Sequence, residues 1–492
     1  MNASYIMLVV AIYIGVGTWI ACMSRKGMGA GLTEYFLANR RVGGFVAALT
    51  YSATTYSAFM MVGLAGFTYK GGVGALGFEL TYLSGLVLAV FFGPRFWLAG
   101  KRYGYISPAE LLGDRYQSHW VAVVTTLVCL IFLIPYAAVQ LMGIGYLLGG
   151  LSGGTIPFWV GLILATLLAI VWAWIAGLRS VAWTDSLQAL IMLVTSVLVL
   201  LFVVYRYFGG FGGLFFRVET DYPQWLTVPG PGFFSLKAYI GLTLPWFFFC
   251  ISNPQVSQRL FIPKSLGAMR RMLGGFLVFG FIYTLVSVMW GFSTKILSPG
   301  LARADLATPT LLSQPFIPSI LALIVMVGIL GAAVSTIDSI LLTLSSMFAR
   351  DLYRRLRPQA SEEMELRLGK WVIPVISLVA MIFGWLKLGL ISALSVAASA
   401  GLLMTVPAIF GAFFWKRGTA AGAIWSMVLG GAVTGFLYFS GIRPLGHWPA
   451  VWGGLVCLVV FIVISLITKA PVEKAREFLG YLERGLMERN AL

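Results

Sequence analysis

The chain has 492 residues, of which 59% are hydrophobic and only 10% charged. A soluble domain carries about 25% charged residues, so this composition excludes a water-soluble enzyme or adaptor and describes a polytopic membrane protein. The net charge of +17 does not indicate a nucleic-acid partner, because the basic residues are spread through short segments between apolar spans.

Thirteen apolar spans are predicted, at 3–23, 43–69, 73–94, 118–147, 156–176, 180–205, 238–258, 272–294, 314–347, 371–386, 390–415, 419–440 and 448–467. Each is on the scale needed to cross about 30 Å of hydrocarbon. The first lacks a basic n-region and its apolar run exceeds the usual h-region, so it is read as a retained helix rather than a signal peptide. The second carries Thr50, Tyr51, Ser52, Thr54, Thr55, Tyr56 and Ser57, followed by Gly63 and Gly66. Lipid offers these side chains no partners, and a discontinuous helix, whose free carbonyls can coordinate a cation, fits the pattern. In the third span Glu79 follows Gly77-Phe78. A carboxylate at that depth costs roughly 3 kcal/mol on insertion scales, so it binds a substrate hydroxyl or amine, carries a proton, or pairs with a buried group.

In the sixth span Asp185 either pairs with Arg179, six residues away, or serves as a cation ligand or a step on the ion exit. A loop over 206–236, rich in Gly, Phe and Pro, precedes the seventh span. That span contains Leu244-Pro245-Trp246 and then Ser252-Asn253-Pro254-Gln255, where Pro254 removes a backbone hydrogen bond. Two interrupted helices five spans apart point to an inverted repeat. Residues 43–205 and 238–416 would form the two halves of a transport core spanning 43–416. Residues 1–42 and 417–468 would be peripheral, and 469–492 a cytoplasmic tail. In the ninth span Ala332, Ser335, Thr336, Ser339, Thr343 and Ser346 step by three or four and share one face. That face is either a small-residue packing surface or an oxygen-rich wall for sodium, a hard cation that prefers oxygen ligands. Asp338 points about 60° from the Ser335–Ser339 line and either joins the ion path or neutralises a nearby base. Beyond it lie a charged segment, 350–370, with Glu362, Glu363 and Glu365, and a tail of alternating charge read as an amphipathic helix at the membrane surface or a solvated end.

With the N-terminus outside, 26 of the 34 Lys and Arg fall in cytoplasmic segments. The outer ones are Lys70, Arg206, Arg217, Lys237, Lys295, Arg303, Lys387 and Arg443. This positive-inside bias predicts an N-out, C-in protein of the cell (inner) membrane, its excess charge available to anionic lipid. Cys22, Cys129, Cys250 and Cys457 lack CxxC spacing, and His119 and His447 lack partners at ligand spacing. With no nucleophile beside a base either, the sequence does not read as an enzyme.

The run from Gly331 to Tyr353, GAAVSTIDSILLTLSSMFARDLY, resembles the most recognisable segment of the sodium:solute symporter family, which includes sodium-coupled carriers of proline, pantothenate, galactose and sialic acid. Gly177-Leu178-Arg179-Ser180 with Trp183-Thr184-Asp185, the stretch Ala53 to Gly66, and Asn253-Pro254-Gln255 with Arg259, Leu260 and Phe261 resemble further family segments. The resemblance implies an all-α integral membrane fold of about 13 helices with a LeuT-like 5+5 inverted-repeat core and broken helices. It implies a principal sodium site from the carbonyls of Ala53, Tyr56 and Ala332 and the hydroxyls of Ser335 and Thr336. A second sodium would use Asp185 and Ser339, with Asp338 standing where such members have serine. The implied substrate cavity is lined by Thr55, Ser57, Phe78, Glu79, Gln140 and Trp246, with Tyr136 on the same face as Gln140 and Pro254 shaping the seventh span. Thr55 stands where proline carriers have an aspartate. The implied activity is sodium-driven import of a small organic solute by alternating access: a small carboxylate such as pantothenate or a monocarboxylate first, proline or another amino acid second, a sugar third. A proton-coupled carrier using Glu79 or Asp338 is the rival. The implied partners are Na+, the solute and the lipid bilayer, with the protein a monomer or weak oligomer.

Overall fold

The computed structural model describes residues 2–25, 29 and 31–489. The other residues of the N-terminal inner loop and the tail's last three lie outside the described set. Among the described residues the regular structure is helical. In chain order come α1 Ala3–Arg25, α2 Leu32–Leu37, α3 Gly44–Thr55, α4 Ala65–Gly71, α5 Gly74–Tyr103, α6 Pro108–Arg115, α7 His119–Leu151 and α8 Phe158–Tyr207. Then follow α9 Phe211–Asp221, α10 Leu236–Phe247, α11 Phe249–Ser252, α12 Pro254–Ser257, α13 Leu266–Leu297, α14 Ala307–Leu312 and α15 Ser319–Met347. The last are α16 Arg354–Leu356, α17 Glu362–Trp385, α18 Ile391–Leu402, α19 Val406–Phe414, α20 Ala420–Ser440, α21 Pro449–Ile467 and α22 Val472–Met487.

Among the described residues, eleven helical stretches are long and apolar enough to cross a membrane, and α3 with the Phe59–Gly71 segment makes a twelfth, bent by 51°. The expected thirteenth, over 238–258, is not one helix. Its path is divided at Phe248 and again at Asn253, where the backbone is extended before Pro254 opens α12. α8 covers two predicted spans and turns at Gly177, whose φ of 54° and the 2.9 Å between its would-be Cβ and the Tyr35 carbonyl admit only glycine. α17 begins nine residues before the predicted 371. Ser361 caps it by accepting from the Met364 amide, and Glu362, Glu363 and Glu365 sit in its first turn, where the helix dipole favours negative charge. The loop before α10 carries a helix of its own, α9.

α15 is the hub. It packs along α8 and contacts α3, α7, α12 and α17, which buries every residue from Gly328 to Met347. The tail forms the expected amphipathic helix, α22, but its apolar face does not face a membrane surface. Phe478, Leu479, Leu482 and Leu486 are buried against the rest of the protein, with the Phe478 ring 5.8 Å from both Tyr103 and Phe413. Lys474 fixes the helix through Asp114 at 2.9 Å.

Close helix approach has a testable cost. A Cβ on Gly85 of α5 would lie 2.0 Å from the Phe247 carbonyl of α10. Overpacking of this kind costs about 1–3 kcal/mol. Gly85→Ala is expected to lower the melting temperature of the detergent-solubilised protein by several degrees. Gly431→Ala, where nothing lies within 4 Å, is expected to leave it unchanged or raise it slightly.

Candidate functional site

The site begins at the break in the second span. α3 stops at Thr55, Tyr56 is extended (φ −88°, ψ 90°), and the chain resumes through a π turn, Phe59–Leu64, into α4. Nearby side chains, two from the break itself and one from α7, stabilise the interrupted backbone. Thr55 Oγ1 donates to the Tyr51 carbonyl at 2.8 Å. Ser57 Oγ accepts from the Phe59 amide at 3.2 Å, and Gln140 Oε1, from α7, accepts from the Ala58 amide at 3.2 Å.

The oxygen face of α15 meets this break. Ser335 Oγ lies 3.0 Å from the Ala53 carbonyl and 3.0 Å from that of Ala332. Thr336 Oγ1 lies 3.1 Å from Ala53, 3.2 Å from Thr54 and 3.1 Å from Ala332 carbonyls. Two alcohols and three peptide oxygens from two helices therefore converge in a cluster that carries no formal charge. The Thr54 carbonyl was not in the sequence-derived set. The Tyr56 ring is buried among aromatics, stacked on Phe276 at 5.0 Å. Further along the same face, Thr343 donates to Gln258 at 2.6 Å, and Gln258 donates to Ser346 at 3.1 Å. The hydroxyl row thus contacts both broken segments, a role beyond small-residue packing.

Asp185 does not pair with Arg179. Arg179 sits just past the Gly177 turn, 3.6 Å from Glu34, whereas Asp185 lies nearly two helical turns further along α8 and faces α3. There Thr50 Oγ1 donates to Asp185 Oδ2 at 2.6 Å, and the buried Arg259 guanidinium lies 3.9 Å away. Arg259 Nη2 also donates to Ser339 Oγ at 2.6 Å, and Ser339 is 2.9 Å from Thr54 Oγ1. Asp338 is buried as well, and its Oδ1 has no hydrogen-bond partner among the described residues. Two buried carboxylates thus share a region with one guanidinium. In the sequence Arg259 belongs only to the motif that follows Asn253-Pro254-Gln255, and spacing gives no sign that it reaches Asp185.

Several of the residues expected around a substrate are also brought together. Trp246 Nε1 donates to Glu79 Oε2 at 3.1 Å, and the Trp246 ring lies 5.2 Å from Phe78 and 4.9 Å from Phe59. Gln140 Nε2 donates to the Tyr136 carbonyl at 3.3 Å, and the Tyr136 ring is 6.0 Å from Phe249. Thr55, Ser57, Phe78, Glu79, Tyr136, Gln140, Trp246 and Pro254 are all buried. Phe59 and Phe249 extend the aromatic wall beyond the expected set. Their rings read as ordinary apolar residues in sequence, and only the helix breaks aim them inward.

Helices interrupted partway along apolar spans, with polar oxygens gathered at the interruption, are the pattern of a secondary transporter. Comparison with known proteins agrees. The family model described as "Sodium:solute symporter family" matches residues 35–430, and the chain belongs to the sodium:solute symporter family. It is 28% identical to the sodium/pantothenate symporter of Escherichia coli K12, over 93% of this chain and 95% of that one. It is 25% identical to a sodium/proline symporter of Staphylococcus aureus, over 95% and 93%. The solved structure of a substrate-bound, outward-open Na+-coupled sialic acid symporter superposes with a TM-score of 0.78 at 21% identity, covering 94% of this chain and 98% of that one. The fold is LeuT-like, and the protein is a multi-pass, sodium-coupled solute symporter rather than an enzyme.

Breaking one side of the Asp185–Arg259 pair should cost more than removing both. Losing one partner of a buried ion pair typically destabilises by about 3–5 kcal/mol. Arg259→Gln is therefore expected to lower the melting temperature sharply in detergent, and Asp185→Asn added to it to restore most of the loss.

Proposed function

We propose that this protein is a sodium-driven importer of a small carboxylate, such as pantothenate or a monocarboxylate, working by alternating access. The observation that carries the reading is the convergence of Ser335 and Thr336 on the carbonyls freed by the break after Thr55. The principal sodium would be held by the carbonyls of Ala53, Tyr56 and Ala332 with the hydroxyls of Ser335 and Thr336, and the Thr54 carbonyl joins that set. Hard cations prefer such oxygens. Because the cluster is uncharged, a bound sodium leaves one net charge for the membrane field to act on, about 2.3 kcal/mol per 100 mV. Sodium there ties α3 to α15 and so favours one of the two states between which a symporter alternates.

A second sodium would lie among Asp185, Ser339 and Asp338. Two carboxylates against one guanidinium leave a formal charge of −1, which a cation neutralises. Arg259 occupies Ser339 and Asp185 in this state, so filling the site requires its displacement. The uneven distribution of Lys and Arg supports a cytoplasmic location for the basic face, with the N-terminus outside. The core is taken as two inverted repeats, 43–205 and 238–416, flanked by 1–42 and 417–468, with 469–492 as the tail.

The substrate residues suit a hydroxylated carboxylate. Glu79 and Gln140 can receive and give hydrogen bonds, Trp246 and Phe78 flank an apolar stem, and the positive end of the helix that restarts after the break favours an anionic end. The whole-length similarity to the E. coli sodium/pantothenate symporter supports that order. Purified protein in proteoliposomes should accumulate radiolabelled pantothenate only under an inward sodium gradient, more strongly with the interior negative. Uptake driven by a pH gradient without sodium would contradict sodium coupling and assign it to protons at Glu79 or Asp338. Sodium-driven uptake of proline without pantothenate would contradict the substrate order alone.

A further inference from the structure

The face opposite the basic one is poor in cations, yet four of its eight Lys and Arg line one depression. Lys70, Lys295, Arg303 and Lys387 border a cavity of about 550 Å³ rimmed by Tyr69 and Trp225. Arg303 has a carboxylate beside it, Asp305 at 3.7 Å. Burial pushes Asp305 up to about 6, with Arg303 first and Lys70 among the groups pulling the other way. Among the described residues the three lysines make no ion pair. They rest on ring faces instead: Lys70 is 4.8 Å from Phe233, Lys387 is 4.0 Å from Phe158, and Lys295 is 4.5 Å from Trp225. A π face holds an ammonium in place without cancelling its charge. A concave wall of one sign concentrates counter-ions and raises their encounter rate.

The depression is joined to the candidate substrate residues. Lys70 occupies the last turn of α4, the second half of the broken helix. From the Phe233 ring beneath it an aromatic column descends through Phe67 at 5.2 Å, then Phe78 at 5.6 Å, then Trp246 at 5.2 Å. We infer that this basic depression is the outer docking site at which a small carboxylate collects before it passes down the aromatic column into the transport site. The inference rests on the import of a carboxylate proposed above, and it adds a second binding locus, with Lys70, Lys295 and Lys387 as its specificity determinants. It accounts for lysines held where topology disfavours them, and for their making no ion pair among the described residues although Asp305 lies within electrostatic reach of Lys70.

Two readouts test it. In proteoliposomes under a fixed sodium gradient, Lys70→Gln/Lys295→Gln is expected to raise KM for radiolabelled pantothenate roughly 3–10-fold, with the maximal rate retained. Added choline chloride should raise the wild-type KM and leave that of the variant nearly unchanged. An unaltered KM with unaltered salt response would overturn the docking site while leaving sodium-driven import intact. The second readout needs no substrate. The fluorescence lost in Trp225→Phe reports on the depression, and iodide should quench it about threefold better in wild type than in the double lysine variant, whereas neutral acrylamide quenches both equally. Equal iodide quenching would overturn the inference even if pantothenate is transported. Preferential quenching without pantothenate uptake would uphold an anion-collecting vestibule and remove pantothenate as its ligand.

Discussion

A helix cannot stop inside a bilayer without leaving peptide groups unsatisfied, and each such group costs several kcal/mol in hydrocarbon. The break between Thr55 and Phe59 makes that requirement acute, and much of the core can be read as its answer. α15 brings two alcohols to the carbonyls of Ala53 and Thr54, and α7 brings the Gln140 carboxamide to the Ala58 amide. These bonds tie together three helices that already pack against one another around α15. The same atoms are the ones a sodium ion would bridge. A hydroxyl can rotate to present its lone pair to a cation without moving the helices, so the protein's own hydrogen bonds and the ion's coordination are alternative uses of one arrangement.

A second constraint is charge. Asp185, Arg259 and Asp338 are buried where isolated ions are costly. The guanidinium is held by one carboxylate and one hydroxyl, Asp185 and Ser339. Thr54 and Ser339 connect this polar region to the neutral oxygen cluster, because Ser339 contacts Thr54 and Thr54 also supplies a carbonyl to Thr336. Events at the charged region and at the helix break therefore share residues.

Much of this was legible in the sequence, for identifiable reasons. The hydroxyl run at 50–57 and Pro254 conflict with a continuous membrane helix, so both interruptions follow from local chemistry. The three-and-four spacing on α15 fixed which side chains share a face. What sequence could not supply was direction in space. Nothing local distinguishes the Thr54 carbonyl from its neighbours until the bend turns it toward Thr336. Arg179 is near Asp185 in sequence, but the Gly177 turn sends it to Glu34, and the partner comes from 74 residues further along the chain. α22 shows amphipathicity without revealing what covers its apolar face; Tyr103 and Phe413 do.

The most direct measurement is sodium-dependent stabilisation of the purified protein in detergent, with potassium and choline as references, for wild type and for Ser335→Ala/Thr336→Ala. A ligand at one hundred times its Kd stabilises the folded state by about 2.7 kcal/mol. Wild type should show a saturable rise in melting temperature with sodium alone, and the double variant should lose that rise while remaining folded in potassium. A double variant that sodium stabilises as fully as wild type would contradict the assignment of the ion to the junction of α3 and α15.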